Sequence, residues 1–233
     1  IFDYVLDKAD LQPERPRIYV AHTLSALLNY DGEGLVYNPF AGCSIAGAML
    51  RSLQNYYGDG DTNDKLYAAG LLLNYGLGVS NEHFMQRDST QWLEGKKIDY
   101  ILSTYTGFIN GNTAFDFCLG KCLEDKQFTG KYAGMAVPRE IFEKMTDNFK
   151  EALKRDWIDT IVLMPFGEVA ILVDANKQEN KRQIRLVNCN NPLFGDTSID
   201  DILADTGKYA DVIAVEDALR DNYLKDFLSP TLP

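Results

Sequence analysis

The sequence predicts an α/β fold with a mainly parallel sheet and an antiparallel hairpin near its C-terminal end. Short apolar runs typical of strands alternate with segments of helical periodicity, which is the pattern of strand–helix units in a parallel sheet. The apolar runs 160–165 and 169–175 are separated by only Phe166, Gly167 and Glu168. Because so short a connection cannot cross over a sheet, these two strands are predicted to pair antiparallel.

The individual elements follow from local patterns. Apolar residues that recur every three or four positions predict helices at 19–29, 62–75, 115–123 and 141–153. One face of the last helix is apolar, formed by Phe142, Met145, Phe149 and Leu153. A short helix is also predicted to begin near Ile45. Apolar and β-branched runs predict strands at 35–40, 54–59, 82–88, 97–103, 132–138, 160–165, 169–175 and 183–188.

Length and composition are those of an ordinary globular domain. The chain has 233 residues, of which 45% are hydrophobic, and this excludes a disordered chain. We expect one domain over residues 1–233, with a helical lead-in at 1–30, a core sheet at 31–190 and an acidic C-terminal extension at 191–233.

The charge restricts the partners of the protein. Against 34 acidic residues there are 23 basic ones, which gives a formal net charge of −11. A surface that neutralises nucleic-acid phosphates should be basic. We therefore expect any contact with DNA to depend on other subunits or domains.

Other features indicate the compartment. No apolar run of about 18 residues is present, so we expect no membrane contact. Four cysteines without paired spacing and the lack of a signal-peptide pattern at the N-terminus favour a reducing, cytoplasmic setting. Because the sequence does not begin with Met, we expect the chain to be a fragment of a longer one.

Small and polar residues follow the predicted strands, where an open parallel sheet binds its ligands. The loop 38–44 has small residues that allow a ligand close to the backbone, although the same residues suit a plain strand-to-helix turn. Asp59 follows the second strand and could accept a hydrogen bond from a ribose, or belong to a loop. Asp88 follows the third strand and could meet an adenine amino group, or cap a helix. The order of the loop 38–44, Asp59 and Asp88 along the chain, each after a predicted strand, favours a cofactor that contains adenosine.

The motifs in this order resemble the N6-adenine DNA methyltransferases, and specifically the modification subunit of type I restriction–modification systems. The resemblance covers residues from about 17 to 230. It rests on VYNPFAG, Asp59 with KLYAAGLLLNYG, RDSTQW, KKIDYILS, FTGKYAGMAVPREIF, DTIVLMPFG with VAILVDANK, and NYLKDFLSP.

The resemblance implies a Rossmann-like class I S-adenosylmethionine-dependent methyltransferase fold. It implies transfer of a methyl group to a flipped adenine, without a metal and with a specificity subunit as a possible partner. The residues that match the cofactor-binding motifs are Tyr19, Asn38, Pro39, Phe40, Ala41, Gly42, Asp59 and Asp88.

The chain departs from the family at the catalytic motif, where an Asn-Pro-Pro-aromatic sequence is expected. The matching positions hold Thr104, Tyr105, Thr106 and Gly107. A threonine hydroxyl cannot replace the amide that accepts from the target amino group, and glycine cannot stack on a base. Tyr105 or Phe108 could stack if the loop is shifted.

These departures leave two alternatives to an active adenine methyltransferase. One is a non-catalytic scaffold that binds a partner, and the other is a methyltransferase with a substrate other than DNA. Several other residues are interpreted as structural. The cysteines at 118 and 122 are expected in the core, His22 on a helix and His83 on a strand. The basic stretch of Lys177, Lys181, Arg182 and Arg185 is interpreted as a solvated hairpin edge.

Overall fold

A computed structural model describes residues 15–124, 126–165, 167–177, 182–191, 195, 197–220 and 223–228. The main sheet has nine strands in the order β11-β10-β8-β9-β7-β4-β1-β2-β3. These strands are β1 (Val36–Gly42), β2 (Tyr56–Gly60), β3 (Phe84–Gln86), β4 (Ile98–Ser103), β7 (Phe128–Pro138), β8 (Ile158–Leu163), β9 (Glu168–Val173), β10 (Gln183–Asn188) and β11 (Asp211–Ala214). A separate two-stranded ribbon is formed by β5 (Phe108–Ile109) and β6 (Asn112–Thr113).

The helices pack on both faces of the main sheet. They are α1 (Arg15–Leu28), α2 (Ile45–Ala48), α3 (Asp64–Gly76), α4 (Ala114–Glu124), α5 (Arg139–Phe142), α6 (Asp147–Lys154), α7 (Ile199–Ala204), α8 (Thr206–Tyr209), α9 (Val215–Leu219) and α10 (Tyr223–Leu228). Helices α1, α2, α3 and α7 supply buried residues to one core, and α4, α6 and α9 supply them to the other. None of the helices in the described part of the chain has the length and apolar character needed to cross a membrane.

The sheet is mainly parallel, and the predicted hairpin is present. Parallel pairing joins β3, β2, β1, β4 and β7 in that order. Strand β9 runs antiparallel to both of its neighbours, β7 and β8, so the hairpin prediction is confirmed. Residues 211–214 of the acidic C-terminal segment add an antiparallel edge strand beside β10.

The predicted helix at 141–153 is wrong in its continuity. The segment forms two short helices, and Met145 between them has a positive φ of 35°. The second helix begins at Asp147, and Thr146 is its N-cap. The hydroxyl of Thr146 accepts a hydrogen bond from the Phe149 amide at 3.2 Å. Because of this cap a new helix starts at Asp147, and the helix that ends at Phe142 does not continue through the segment.

Two interpretations of polar residues need correction. His83 lies in a short 3₁₀ turn rather than in a strand, and its ring stacks on Tyr57 at 4.0 Å between centroids. Lys177 is only 3% exposed and binds Asp156, so it is not part of a solvated hairpin edge. The cysteines at 118 and 122 lie in the core, as expected from the sequence.

Candidate functional site

A cavity of about 440 Å³ lies at the carboxyl ends of β1, β2, β3 and β4. Residues at the ends of β1 and β2 and residues that directly follow β3 and β4 line the cavity, together with Ile45 of α2 and Leu66 of α3. Parallel strands end at the same edge of a sheet, so segments that are far apart in the sequence meet there. This is the place at which the sequence predicted a site.

The end of β1 and the loop that follows it form the first wall of the cavity. Gly42 and Ser44 have positive φ values of 54° and 66°, which turn the chain sharply into α2. The Phe40 ring packs on the Tyr105 ring, with 5.4 Å between their centroids. This contact joins the first wall to the segment that follows β4.

A buried polar network holds this loop from below. The Asn38 amide donates to the Tyr56 hydroxyl at 3.2 Å, and the hydroxyls of Tyr56 and Ser44 lie 2.9 Å apart. Ser44 also donates to Asn74 Oδ1 at 3.1 Å. Asn38 therefore lies beneath the loop and fixes its shape, and it does not line the cavity.

Asp59 lies at the floor of the cavity and is bound inside the protein. Its Oδ1 accepts from Arg87 Nε at 2.6 Å, and its Oδ2 accepts from the Tyr37 hydroxyl at 2.5 Å. Arg87 Nη2 also donates to the Tyr37 oxygen at 3.3 Å, so the three side chains form a closed cycle of hydrogen bonds. Burial raises the pKa of the Asp59 carboxyl, and the hydrogen bonds from Arg87 and Tyr37 to the ionised form oppose this shift.

Two further aspartates bring negative charge to the cavity. Asp88 Oδ1 accepts from the Thr90 amide at 2.9 Å, and this bond lowers the pKa of the Asp88 carboxyl. Asp61 Oδ1 accepts from the Asn63 amide at 2.8 Å. With three aspartates and one arginine in the lining, the cavity has a formal charge of −2.

The segment after β4 forms the last wall and continues into the β5–β6 ribbon. Thr104 and Tyr105 line the cavity, and the Tyr105 ring lies back against Gly107. The ribbon turns at Asn110 and Gly111, whose φ values of 50° and 84° are those of a tight two-residue hairpin. Its Phe108 side chain is 62% exposed at the cavity wall.

The structure brings together some of the residues singled out in the sequence. Those that line the cavity are Phe40, Ala41, Gly42, Asp59, Asp88, Thr104 and Tyr105. Those that lie outside its lining are Tyr19, Asn38, Pro39, Thr106 and Gly107. Tyr19 is 53% exposed on α1, and Pro39 is buried.

Sequence reasoning missed part of the lining. Additional wall residues include Asp61, Thr62, Leu66, Arg87, Ile109 and Asn110. A signal was present for Asn110, because Asn110-Gly111 is a strong hairpin sequence. Arg87 had no such signal, since its partner Asp59 is 28 residues away. Among the described residues, no group of three or more His, Cys, Asp or Glu side chains could hold a metal ion.

The buried tyrosines beneath the site make stability sensitive to alkaline pH. Burial raises the pKa of Tyr56 to about 12 and also raises that of Tyr37. Above pH 10 the two hydroxyls therefore keep their protons in the folded state and lose them in the unfolded state. We expect the free energy of unfolding to fall between pH 10 and 12, by up to about 1.4 kcal/mol per pH unit for each tyrosine. Urea unfolding of the wild type and Tyr56→Phe checks this, and equal slopes with pH would contradict it.

Solved structures share this fold. A methyltransferase subunit of a type I restriction–modification system from Streptococcus thermophilus superposes with a TM-score of 0.62 at 15% identity, covering 88% of this chain and 56% of the other. A protein from Listeria monocytogenes that is classed by its name with the class I S-adenosylmethionine-dependent methyltransferases gives a TM-score of 0.60 at 14% identity, covering 84% of this chain and 71% of the other. A chain of a type I restriction–modification complex gives 0.59 at 15% identity, covering 92% and 59%.

The fold is therefore that of the class I S-adenosylmethionine-dependent methyltransferases, a mixed α/β fold around a mainly parallel sheet. No protein-family model and no curated protein matches the chain. The chain spans 56% of the length of the Streptococcus thermophilus subunit.

Proposed function

We propose that the cavity binds S-adenosylmethionine and that the chain is a methyltransferase domain similar to the modification subunit of type I restriction–modification systems. The observation that carries this proposal is the convergence of four parallel strand ends on one cavity. A tight small-residue loop follows the first of these strands, and carboxylates lie at the next two. This arrangement suits a nucleoside cofactor at the edge of an open sheet.

The size and charge of the cavity support this ligand. At about 440 Å³ it lies within the range of roughly 300–1,000 Å³ that is usual for small-molecule sites. S-adenosylmethionine is a cation at neutral pH because of its sulfonium group. A wall with a formal charge of −2 attracts such a ligand and disfavours phosphate groups.

We further propose that adenine in DNA is the methyl acceptor of this site and that transfer by this chain is slow. Thr104 lines the cavity. In the sequence it matches the position at which the motif of the resembled family has an asparagine, and its hydroxyl gives fewer contacts to the target amino group than an amide does. Tyr105 packs on Phe40, so the exposed Phe108 ring is the better candidate to stack on a base. The loss of one such polar contact costs about a hundredfold in rate.

Binding of DNA is proposed to depend on other subunits, a specificity subunit among them. The formal charge of −11 gives this chain no general affinity for phosphates. We place this assembly in the cytoplasm. Within it, this chain would bind the cofactor and the partner subunits would bind DNA.

Calorimetric titration of S-adenosylmethionine tests the proposal. We expect micromolar binding by the wild type, weaker binding by Asp61→Lys, and unchanged binding by Glu94→Lys, which reverses an exposed charge outside the cavity. No binding by the wild type would contradict the cofactor assignment and favour a non-catalytic scaffold. If the cofactor binds, methyl transfer to DNA with and without partner subunits tests the second step, and transfer to other substrates only would contradict the DNA assignment.

Asp59→Ala is expected to weaken S-adenosylmethionine binding about tenfold. The change removes the acceptor that orders Tyr37 at the floor of the cavity, and such a hydrogen bond is worth about 1–2 kcal/mol. It also releases Arg87 from its fixed position. The same calorimetric titration measures the effect, with the thermal unfolding midpoint as the check on folding. An unchanged affinity would place the cofactor elsewhere.

A further inference from the structure

Arg87 is the one basic side chain that lines the cavity in the described part of the chain. Its guanidinium is fixed by two buried partners. Nε donates to Asp59 at 2.6 Å, and Nη2 donates to the Tyr37 hydroxyl at 3.3 Å. The Tyr37 ring is itself held edge-on against Trp92, with 5.0 Å between the centroids. The orientation of Arg87 is therefore set before any ligand arrives.

The Asp59 carboxylate is used within the protein. It is 3% exposed, and each of its oxygens accepts a hydrogen bond from a neighbouring side chain. In an open sheet, an acidic residue at this position would accept from the ribose of a nucleoside. Here a guanidinium stands beside the carboxylate at the cavity wall, so a ligand meets a donor as well as an acceptor.

Part of the guanidinium remains for a ligand. An arginine side chain carries five N–H donors in a planar fork. Only Nε and Nη2 have acceptors among the described residues, which leaves the Nη1 group for another partner. Since Asp59 neutralises the positive charge, an uncharged oxygen acceptor suits this position, and no anionic group is required.

We propose that Arg87 contacts the nucleoside part of the ligand, with Nη1 donating to a ribose hydroxyl oxygen. Asp59 and Tyr37 are then positioning residues, which act through Arg87. The identity of the ligand as an S-adenosyl compound rests on the proposed function, whereas the contact with a ribose does not. Arg87 would make the site selective for ribonucleosides over deoxyribonucleosides.

Affinities of Arg87 variants for four probes test this contact. The probes are S-adenosylhomocysteine, adenosine, 2′-deoxyadenosine and 3′-deoxyadenosine. We expect the wild type to bind adenosine more tightly than at least one of the deoxynucleosides. Arg87→Met should weaken binding of adenosine and S-adenosylhomocysteine by the same factor, about tenfold to a hundredfold, because a hydrogen bond to a charged group is lost. It should also abolish the discrimination against the deoxynucleoside.

Two further variants separate this contact from a structural role. Arg87→Lys keeps the charge beside Asp59 but loses the planar fork, so it should fold and still lose the discrimination. Arg220→Met removes an exposed arginine that pairs with Asp217, and it should change neither affinity nor discrimination. Thermal unfolding of all variants reports whether each one folds.

Each outcome bears on the proposal. Unchanged affinity of Arg87→Met would overturn it and leave the proposed function intact. Weaker binding with the discrimination retained would assign Arg87 a structural role only. Tighter binding would mean that Arg87 obstructs Asp59, which then binds the ribose directly. If the wild-type protein binds adenosine but no S-adenosyl compound, the proposed function is overturned. The Arg87 contact is then still measured with adenosine. Wild type that binds none of the probes would overturn both.

Discussion

Lys177→Met is expected to lower the free energy of unfolding by about 3–5 kcal/mol. The ammonium group is almost completely buried and has three acceptors. Its Nζ lies 2.9 Å from Asp156 Oδ1, 2.8 Å from the Ile158 carbonyl oxygen and 2.5 Å from the Gln183 carbonyl oxygen. Loss of the ammonium leaves a buried carboxylate and two carbonyl oxygens without this donor, and such groups are costly to desolvate.

The lysine also connects two strands of the sheet. Ile158 begins β8 and Gln183 begins β10, so one side chain joins the starts of two parallel neighbours. Asp156 reaches the ammonium from a backbone with a φ of 57°, a conformation that asparagine also tolerates. Addition of Asp156→Asn to Lys177→Met should therefore restore part of the lost stability by removing the stranded charge.

Urea unfolding measures both effects. Lys65→Met is the matched control, because Lys65 is exposed in the first turn of α3. Its effect should stay within about 0.5 kcal/mol. A loss of less than 1 kcal/mol for Lys177→Met, or no recovery in the double variant, would contradict the role given to this ion pair.

Phe84→Ala is expected to lower the free energy of unfolding by about 3–5 kcal/mol and to weaken ligand binding as well. The ring is fully buried and stacks on Tyr67 at 5.5 Å between centroids. It fills space that two glycines leave open: a Cβ at Gly70 would approach the ring to 2.6 Å, and one at Gly60 to 2.9 Å. Truncation would leave a cavity that these small residues cannot fill.

The effect on binding follows from the position of the ring in the chain. Strand β3 has only three residues, and it is followed directly by Arg87 and Asp88 at the cavity wall. Without the Phe84 anchor this edge strand should lose its fixed position, and the wall with it. Met85→Ala, at a neighbouring side chain that is 42% exposed, is the control and should have little effect on either quantity. Equal effects of the two variants in urea unfolding and calorimetry would refute this explanation.

The sheet could be predicted because its determinants are local. Alternation of apolar runs with helical periodicity indicated a parallel sheet, and a connection of three residues indicated the β8–β9 hairpin. The location of the cavity followed as well, since strand ends of a parallel sheet meet at one edge. The residues Asp59 and Asp88 were placed at that edge by their order in the sequence alone.

The partners of these side chains could not be predicted, because they depend on contacts between distant segments. Arg87 pairs with Asp59 across 28 residues, and Lys177 pairs with Asp156 across 21. A sequence window shows each of these only as a charge, which is typical of a solvated surface. The interruption of the helix at Met145 was missed because apolar spacing alone does not show a new cap at Thr146.

The position of β9 has a consequence for synthesis on the ribosome. Strand β8 pairs only with β9 and β10 in the described sheet, although it precedes both in the chain. When β8 has emerged but β9 has not, β7 therefore lacks the neighbour on its second edge. The parallel strands β3, β2, β1, β4 and β7 are then unpaired at that edge. An unpaired edge of this kind invites contacts with other nascent chains. Emergence of residues 168–173 closes it, so a pause in translation before this point should favour aggregation of the nascent chain.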